Sequence, residues 1–256
     1  MAQQRQIRID HISCTSLMLQ VFCKDKLLGT ATGFAVRHAD KSYLVTNWHV
    51  VAGKDPETGR LLSGTGAIPD EVRIAHHHSR KLGAWIVKAE NLYGADGRAL
   101  WLEHPKGREV DVVAIPLTSI APDVQLYPID LALAETDVQV QPAMPVSIIG
   151  YPFGLVVDGA WPIWKTGHVA SDPDLYYQGK PAFIIDATTR EGMSGSPVVL
   201  RVYGGYHTRD GGYVLTGGQV TRFLGVYAGR IHDQVEIGRV WRPELIPEIL
   251  RQGLAE

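Results

Sequence analysis

The stretch Thr189-Arg190-Glu191-Gly192-Met193-Ser194-Gly195-Ser196-Pro197-Val198 decides how the rest of the chain is read. Glycines at this spacing let the backbone turn tightly, so that successive N–H groups face one small space. Preformed donors of that kind stabilise an oxygen that turns negative during acyl transfer. On this reading Ser194 is a nucleophile, and the N–H groups of Gly192 and Ser194 hold the oxyanion. The competing reading is a plain Gly/Ser turn between two strands, since short motifs of this kind recur by chance. Two other stretches bear on the choice.

A serine hydroxyl is a weak nucleophile at neutral pH and needs a general base beside it. Histidine suits that role, because its pKa lies near the working pH. Of ten histidines, His49 stands apart by context: it follows the apolar run Tyr43–Val45 and the turn-like Thr46-Asn47. That puts an imidazole at a strand end, though a buried structural histidine beside Trp48 fits the local sequence equally. The third member is a carboxylate that fixes the imidazole tautomer and stabilises its cation. Asp111 opens the apolar run Val112-Val113-Ala114-Ile115-Pro116-Leu117. A charge entering a core strand needs a partner; a strand-edge or turn aspartate is the alternative.

Around these residues the chain reads as short strands. Ser16–Phe22, Thr32–Arg37 and Ser42–Thr46 are rich in β-formers and bounded by Gly, Asp or Lys. Asn47–Gly53 looks like a one-turn helix, and residues 53–70 hold the Gly, Pro, Asp and Thr of a surface loop. Further strands are expected near 71–75, 84–90, 111–117, 146–149, 167–170, 182–185, 197–202, 212–215 and 223–227. Residues 118–142, with three prolines, suit a connection between two subdomains. Pro243–Leu254 reads as a helix with Leu245, Ile246, Ile249 and Leu250 on one face. Many short strands and one terminal helix point to β-barrels or a sandwich.

With 256 residues, 45% hydrophobic and 20% charged, the composition is that of a soluble globular protein with ample core. Twenty-five basic against 27 acidic residues leave no electrostatic footprint for nucleic acid or an anionic membrane. Cys14 and Cys23 read as free thiols, which suits a reducing compartment. The polar start Met1–Arg8 lacks the apolar core of a signal peptide, so a cytoplasmic location is expected.

Thr30–Val36 and Tyr43–Val51 resemble the catalytic-histidine region of trypsin-like serine peptidases, and Asp111–Ile115 resembles that family's aspartate strand. Gly150–Gly154 and Thr166–Ser171 resemble the start of the second barrel in bacterial HtrA-type peptidases. Asp186–Pro197 resembles the nucleophile loop, especially that of glutamyl endopeptidases. The order His, Asp, Ser is the chymotrypsin-like one. The resemblance implies an all-β fold of two six-stranded antiparallel β-barrels with a C-terminal helix. Residues 1–120 would carry His49 and Asp111, and 121–256 would carry Ser194 and the helix at about 243–254. It also implies a serine endopeptidase acting on protein or peptide substrates, with catalytic His49, Asp111 and Ser194 and no cofactor.

Where secreted trypsins carry an aspartate that pairs with a new N-terminus, this chain has Met193. The site is therefore expected to form without such cleavage, or to be ordered by an activating partner, an oligomer or substrate. A catalytically silent trypsin-fold binding module and a dormant effector protease of a bacterial stress or defence system are the rivals. By ungapped comparison Gly225–Arg230 walls the primary specificity pocket, and Thr189 matches the pocket threonine of acid-specific relatives, with Tyr227 where they have histidine. Thr189, Arg190, Tyr227 and Arg230 are thus expected to bind substrate and to favour a polar or acidic residue before the scissile bond. The rival is a pocket for something small or apolar. His76-His77-His78 is read as a polar hairpin without a metal, since adjacent strand residues face opposite ways. Trp161 and Trp164 are expected to pack a loop over the second barrel.

Overall fold

The computed structural model describes residues 8–232 and 234–252. Strands β1 (Ser16–Cys23), β2 (Lys26–His38), β3 (Lys41–Thr46), β4 (Glu71–His78), β5 (Trp85–Asn91), β6 (Leu102–Glu103), β7 (Val113–Pro116) and β8 (Val124–Gln125) form one eight-stranded sheet. Its order is β5-β4-β1-β2-β3-β7-β6, with β8 on β4. Strands β9 (Pro145–Gly150), β10 (Ile163–Val169), β11 (Ala182–Asp186), β12 (Pro197–His207), β13 (Tyr213–Arg230) and β14 (Ile237–Trp241) close into a six-stranded barrel. The expectation of two closed six-stranded barrels therefore needs one correction. The first sheet has eight strands and its ends, β5 and β6, do not pair among the described residues.

Strands β2, β3 and β7 are buried on both faces, and the faces go to different cores. On β2, Ala31 and Ala35 join Leu19, Leu44, Ile74 and Ile115 inside the first sheet. The alternate residues Phe34 and Val36 join Tyr43, Val45, Ile149, Val199 and Phe223 in a layer shared by both halves. A third cluster, with Ile148, Ile185, Val198, Leu224 and Val240, fills the closed barrel. Period-2 alternation thus sorts residues between two cores instead of between core and solvent.

Helix α1 (Trp48–Ala52) follows β3 directly and ends at Gly53, whose φ of 63° and N–H bond to His49 O close it. Helix α2 (Leu245–Gln252) buries Leu245, Ile246, Ile249 and Leu250 in the shared layer. Pro247 sits in its first turn, where its missing N–H costs nothing. The expected helix extended to 254, and residues 253 and 254 lie outside those described. The expected pieces at 212–215 and 223–227 are parts of the single strand β13, and β14 was not foreseen. No helix among the described residues is long and apolar enough to cross a membrane.

Two aromatic expectations are corrected. His76 and His77 are buried, not exposed in a polar hairpin. His77 stacks at 4.0 Å on Trp85 and meets Trp161 at 5.1 Å. Trp161 therefore packs against the first sheet, joining the loop after β9 to β4 and β5. Trp164 lies on β10 and donates to Ser13 Oγ at 2.9 Å. Both cysteines are free. The eight-residue strand between them spans roughly 25 Å, far beyond the reach of a disulfide.

Candidate active site

The site is assembled where α1, the start of β7 and the loop before β12 meet. His49 Nδ1 lies 2.8 Å from Asp111 Oδ2, and the His49 backbone N–H donates to Asp111 Oδ1 at 2.9 Å. The carboxylate thus grips ring and backbone together, which fixes χ1 and the tautomer at once. Asn47 Nδ2 donates to Asp111 O at 2.7 Å and holds the aspartate's own main chain. Asp111 is almost fully buried, so its charge is compensated by these contacts and not by water. Burial of the imidazole pulls its pKa down. The Asp111 charge, its hydrogen bond and the more distant Asp55 outweigh that and hold it above 6.5.

The serine loop is shaped by two glycines in the left-handed region, Gly192 at φ 90° and Gly195 at φ 84°. A Cβ on Gly192 would stand 2.2 Å from Tyr151 O, and one on Gly195 would stand 2.1 Å from Thr32 O. Neither position takes another residue without moving backbone. Within the loop, Met193 N–H donates to Arg190 O, Gly195 N–H to Tyr227 O and Ser196 N–H to Met193 O. The N–H groups of Gly192 and Ser194 donate to no acceptor among the described residues. Glu191 C=O accepts from Phe153 N–H at 2.6 Å. In a trans peptide the next N–H, that of Gly192, points the opposite way, away from the 151–154 loop. Two backbone donors are thereby left free on either side of Met193, whose side chain is buried in the barrel core.

Ser194 and His49 line the same cleft, about 840 Å³ in volume. No hydrogen bond joins the Ser194 hydroxyl to the imidazole among the described residues. Thr32, on the same face of β2 as Phe34 and Val36, had no place in the sequence-based site. Its N–H donates to Ser194 O at 2.9 Å, and its hydroxyl donates to Gly192 O at 2.7 Å. The same hydroxyl accepts from Tyr151 N–H at 3.2 Å. Thr32 therefore holds both ends of the Gly192–Ser194 segment from the other half of the molecule. The signal available in the sequence was a threonine that precedes Phe34 and Val36 on one strand face.

The four residues expected to bind substrate are placed less uniformly. Thr189 and Tyr227 are buried, and their hydroxyls bond to each other. Burial pushes the Tyr227 phenol up to about 12, so it stays a neutral hydroxyl. Arg190 is held by Glu236 through contacts of 3.0 and 3.1 Å. Arg230, exposed, lines a second recess of about 280 Å³ with His49, Asp111 and Gly229. No group of three or more His, Cys, Asp or Glu able to hold a metal occurs among the described residues.

Comparisons with known proteins bear on the family and the fold. A family model described as a trypsin-like peptidase domain matches residues 31–204. No curated protein matches the sequence. Among solved structures, a thermostable serine protease, AL20, from an extremophilic microorganism is 13% identical. It aligns with a TM-score of 0.53 over 96% of this chain and 100% of that one. A serine endoprotease from Yersinia pestis is 14% identical with a TM-score of 0.51, covering 96% of this chain and 67% of that one. The MamO protease domain from Magnetospirillum magneticum is 13% identical with a TM-score of 0.51, covering 93% of this chain and 96% of that one. At such identities these three likenesses are ones of fold. The family model, which takes in both the strand that carries Thr32 and the serine loop, says more: this chain belongs to the trypsin-like peptidases and is a serine endopeptidase.

Proposed function

We propose that peptide hydrolysis here runs through Ser194, His49 and Asp111, with the N–H groups of Gly192 and Ser194 as the oxyanion hole. Ser194 Oγ attacks the scissile carbonyl while His49 Nε2 takes its proton. Asp111 holds Nδ1–H and stabilises the imidazolium. The carbonyl oxygen, now negative, accepts from the two free N–H groups. Collapse of the tetrahedral intermediate expels the amine, which leaves with the proton from His49. Water then hydrolyses the acyl-enzyme by the same route.

The observation that carries this reading is the pairing of a doubly bonded His49–Asp111 unit with two unsatisfied backbone donors at Gly192 and Ser194. It favours a preassembled enzyme over a silent binding module or a form awaiting a partner, because a collapsed loop would turn those donors away. Residues 1–120 supply His49 and Asp111, and residues 121–256 supply the serine loop. The free thiols of Cys14 and Cys23 support a reducing, cytoplasmic setting.

The test is reaction of the native protein with a fluorophosphonate probe, beside Ser194→Ala and His49→Ala. Labelling that both substitutions abolish is the expected result. Absence of labelling in the native protein would move the assignment to a binding module or a partner-activated form.

A further inference from the structure

Resting on that assignment, we infer that the enzyme selects a small residue before the scissile bond and an apolar one after it, because Tyr227 fills the space behind Ser194 while an apolar cleft opens on the other side. Tyr227 is locked to the serine loop by its main chain: Gly195 N–H donates to its carbonyl and its N–H donates to Ser196 O, each at 2.9 Å. From there its ring runs into the barrel core. The hydroxyl meets that of Thr189, and the ring lies so close on β14 that a Cβ at Gly238 would stand 2.4 Å from Cε2. The ring thus spans the volume bounded by the start of the serine loop, by β13 and by Gly238.

Tyr227 and Thr189 are each 1% exposed, so no solvent-filled pocket reaches either of them. A long side chain entering beside Ser194 would have to displace a hydrogen-bonded, packed aromatic ring. What stays open beside Ser194 is the place at Gly229, where the position of a missing Cβ lies 4.0 Å from Ser194 Oγ, next to the recess that Arg230 lines. Recognition of an acidic residue is not supported by Arg190, whose charge is met by Glu236. Glycine, alanine and serine fit the remaining space.

The cleft of about 840 Å³ is lined by Gly192 and Ser194 and by none of residues 227–230. Val21, Leu28, Val50, Leu62, Pro69 and Phe153 supply its apolar walls. Phe153 is 60% exposed at its rim, in a left-handed backbone conformation with φ 54°. Large apolar side chains left open in a cleft mark a binding surface. With the acyl side of the substrate held against Gly229, the leaving-group side enters this cleft.

The experiment is a pair of fluorogenic peptide libraries, one varied before the cleaved bond and one after it, with kcat/KM measured for the native chain. Expected are cleavage after Gly, Ala or Ser, and a preference of roughly tenfold or more for Leu or Phe over Gly on the following side. Tyr227→Ala is expected to admit Leu and Met before the bond. Tyr227→Phe keeps the small-residue preference, since the ring and not the hydroxyl fills the space. Phe153→Ala is expected to reduce the preference on the leaving-group side. Native cleavage dominated by large, acidic or basic residues before the bond would overturn the inference, whether or not Tyr227→Ala folds. If peptides are not cleaved and Ser194-dependent labelling is also absent, the catalytic assignment itself fails. Labelling with the wrong profile fails only the selectivity.

Discussion

At the level of single residues, with His49 as the proposed general base, its contact with Asp111 sets the pH at which the enzyme is expected to work. The imidazole must be neutral to take the serine proton. Its pKa is held above 6.5 because Asp111 and Asp55 outweigh burial. The rate, measured as kcat/KM, is therefore expected to fall as pH drops through a midpoint above 6.5, with one proton taken up. A midpoint at or below 6.5 would contradict the pairing. Asp111→Asn removes the charge and leaves an amide that favours the wrong tautomer. A loss of about 10⁴-fold in kcat is expected, the size seen when this role is lost in other serine peptidases. Its acid limb, read on the residual activity, shifts to lower pH.

The elements carry the geometry that single residues use. Thr32 on β2 is the only link from the first sheet to both the Gly192 carbonyl and the Ser194 carbonyl among the hydrogen bonds of the described residues. Thr32→Val keeps the shape and the backbone bond to Ser194 O but deletes the hydroxyl that holds Gly192 O and Tyr151 N–H. We expect kcat to fall roughly 10- to 100-fold with KM little changed, because the donors lose alignment rather than the substrate its contacts. Thr32→Ser restores the hydroxyl and should restore kcat. Equal losses in both variants would mean that packing, not the hydrogen bond, is what matters. The same element explains what was legible in the sequence. His49, Asp111 and Ser194 were readable as candidates because each stands at a chain feature visible locally, though each feature also had a structural alternative and the resemblance made the choice. Thr32 was not, since its role lies in bonds to residues about 160 positions away. Strand β14 escaped notice because Gly238 and Arg239 break its apolar pattern, while its pairing with β11 and β13 sustains it. The two-unit β architecture was readable only through the resemblance; the eight-stranded makeup of the first sheet was not.

Across the whole molecule, the halves are joined beside the aromatic cluster of His77, Trp85 and Trp161, and the buried neighbours His76 and His77 make stability depend on pH. Burial drives both His76 and His77 down to about 4; repulsion from His77 adds to this for His76, while nearby Glu90 opposes it. His77 Nε2 retains a contact of 3.0 Å with Cys14 O, whereas neither ring nitrogen of His76 has a protein partner among the described residues. The unfolded chain binds a proton on each histidine below about 6.5, and the folded chain refuses it until about 4. Folded stability is therefore full above 6.5 and is lost as pH falls from there towards 4. About 3 kcal/mol per histidine is at stake at the acid end. For a chain of this length each kcal/mol corresponds to roughly 2–4 °C in Tm, so thermal unfolding at pH 8 and pH 5 should differ by several degrees. His76→Leu removes a buried ring without partners and the proton it refuses. It is expected to raise Tm at both pH values, because an unpaired buried polar group costs about 1–3 kcal/mol, and to narrow the gap between them. A Tm gap in His76→Leu as wide as in the native protein would show that acid destabilisation arises elsewhere. Activity measured well below either Tm keeps this transition apart from the titration of His49. The two are separable in the variant, since His76 touches no member of the site and the acid limb of kcat/KM should stay where His49 puts it.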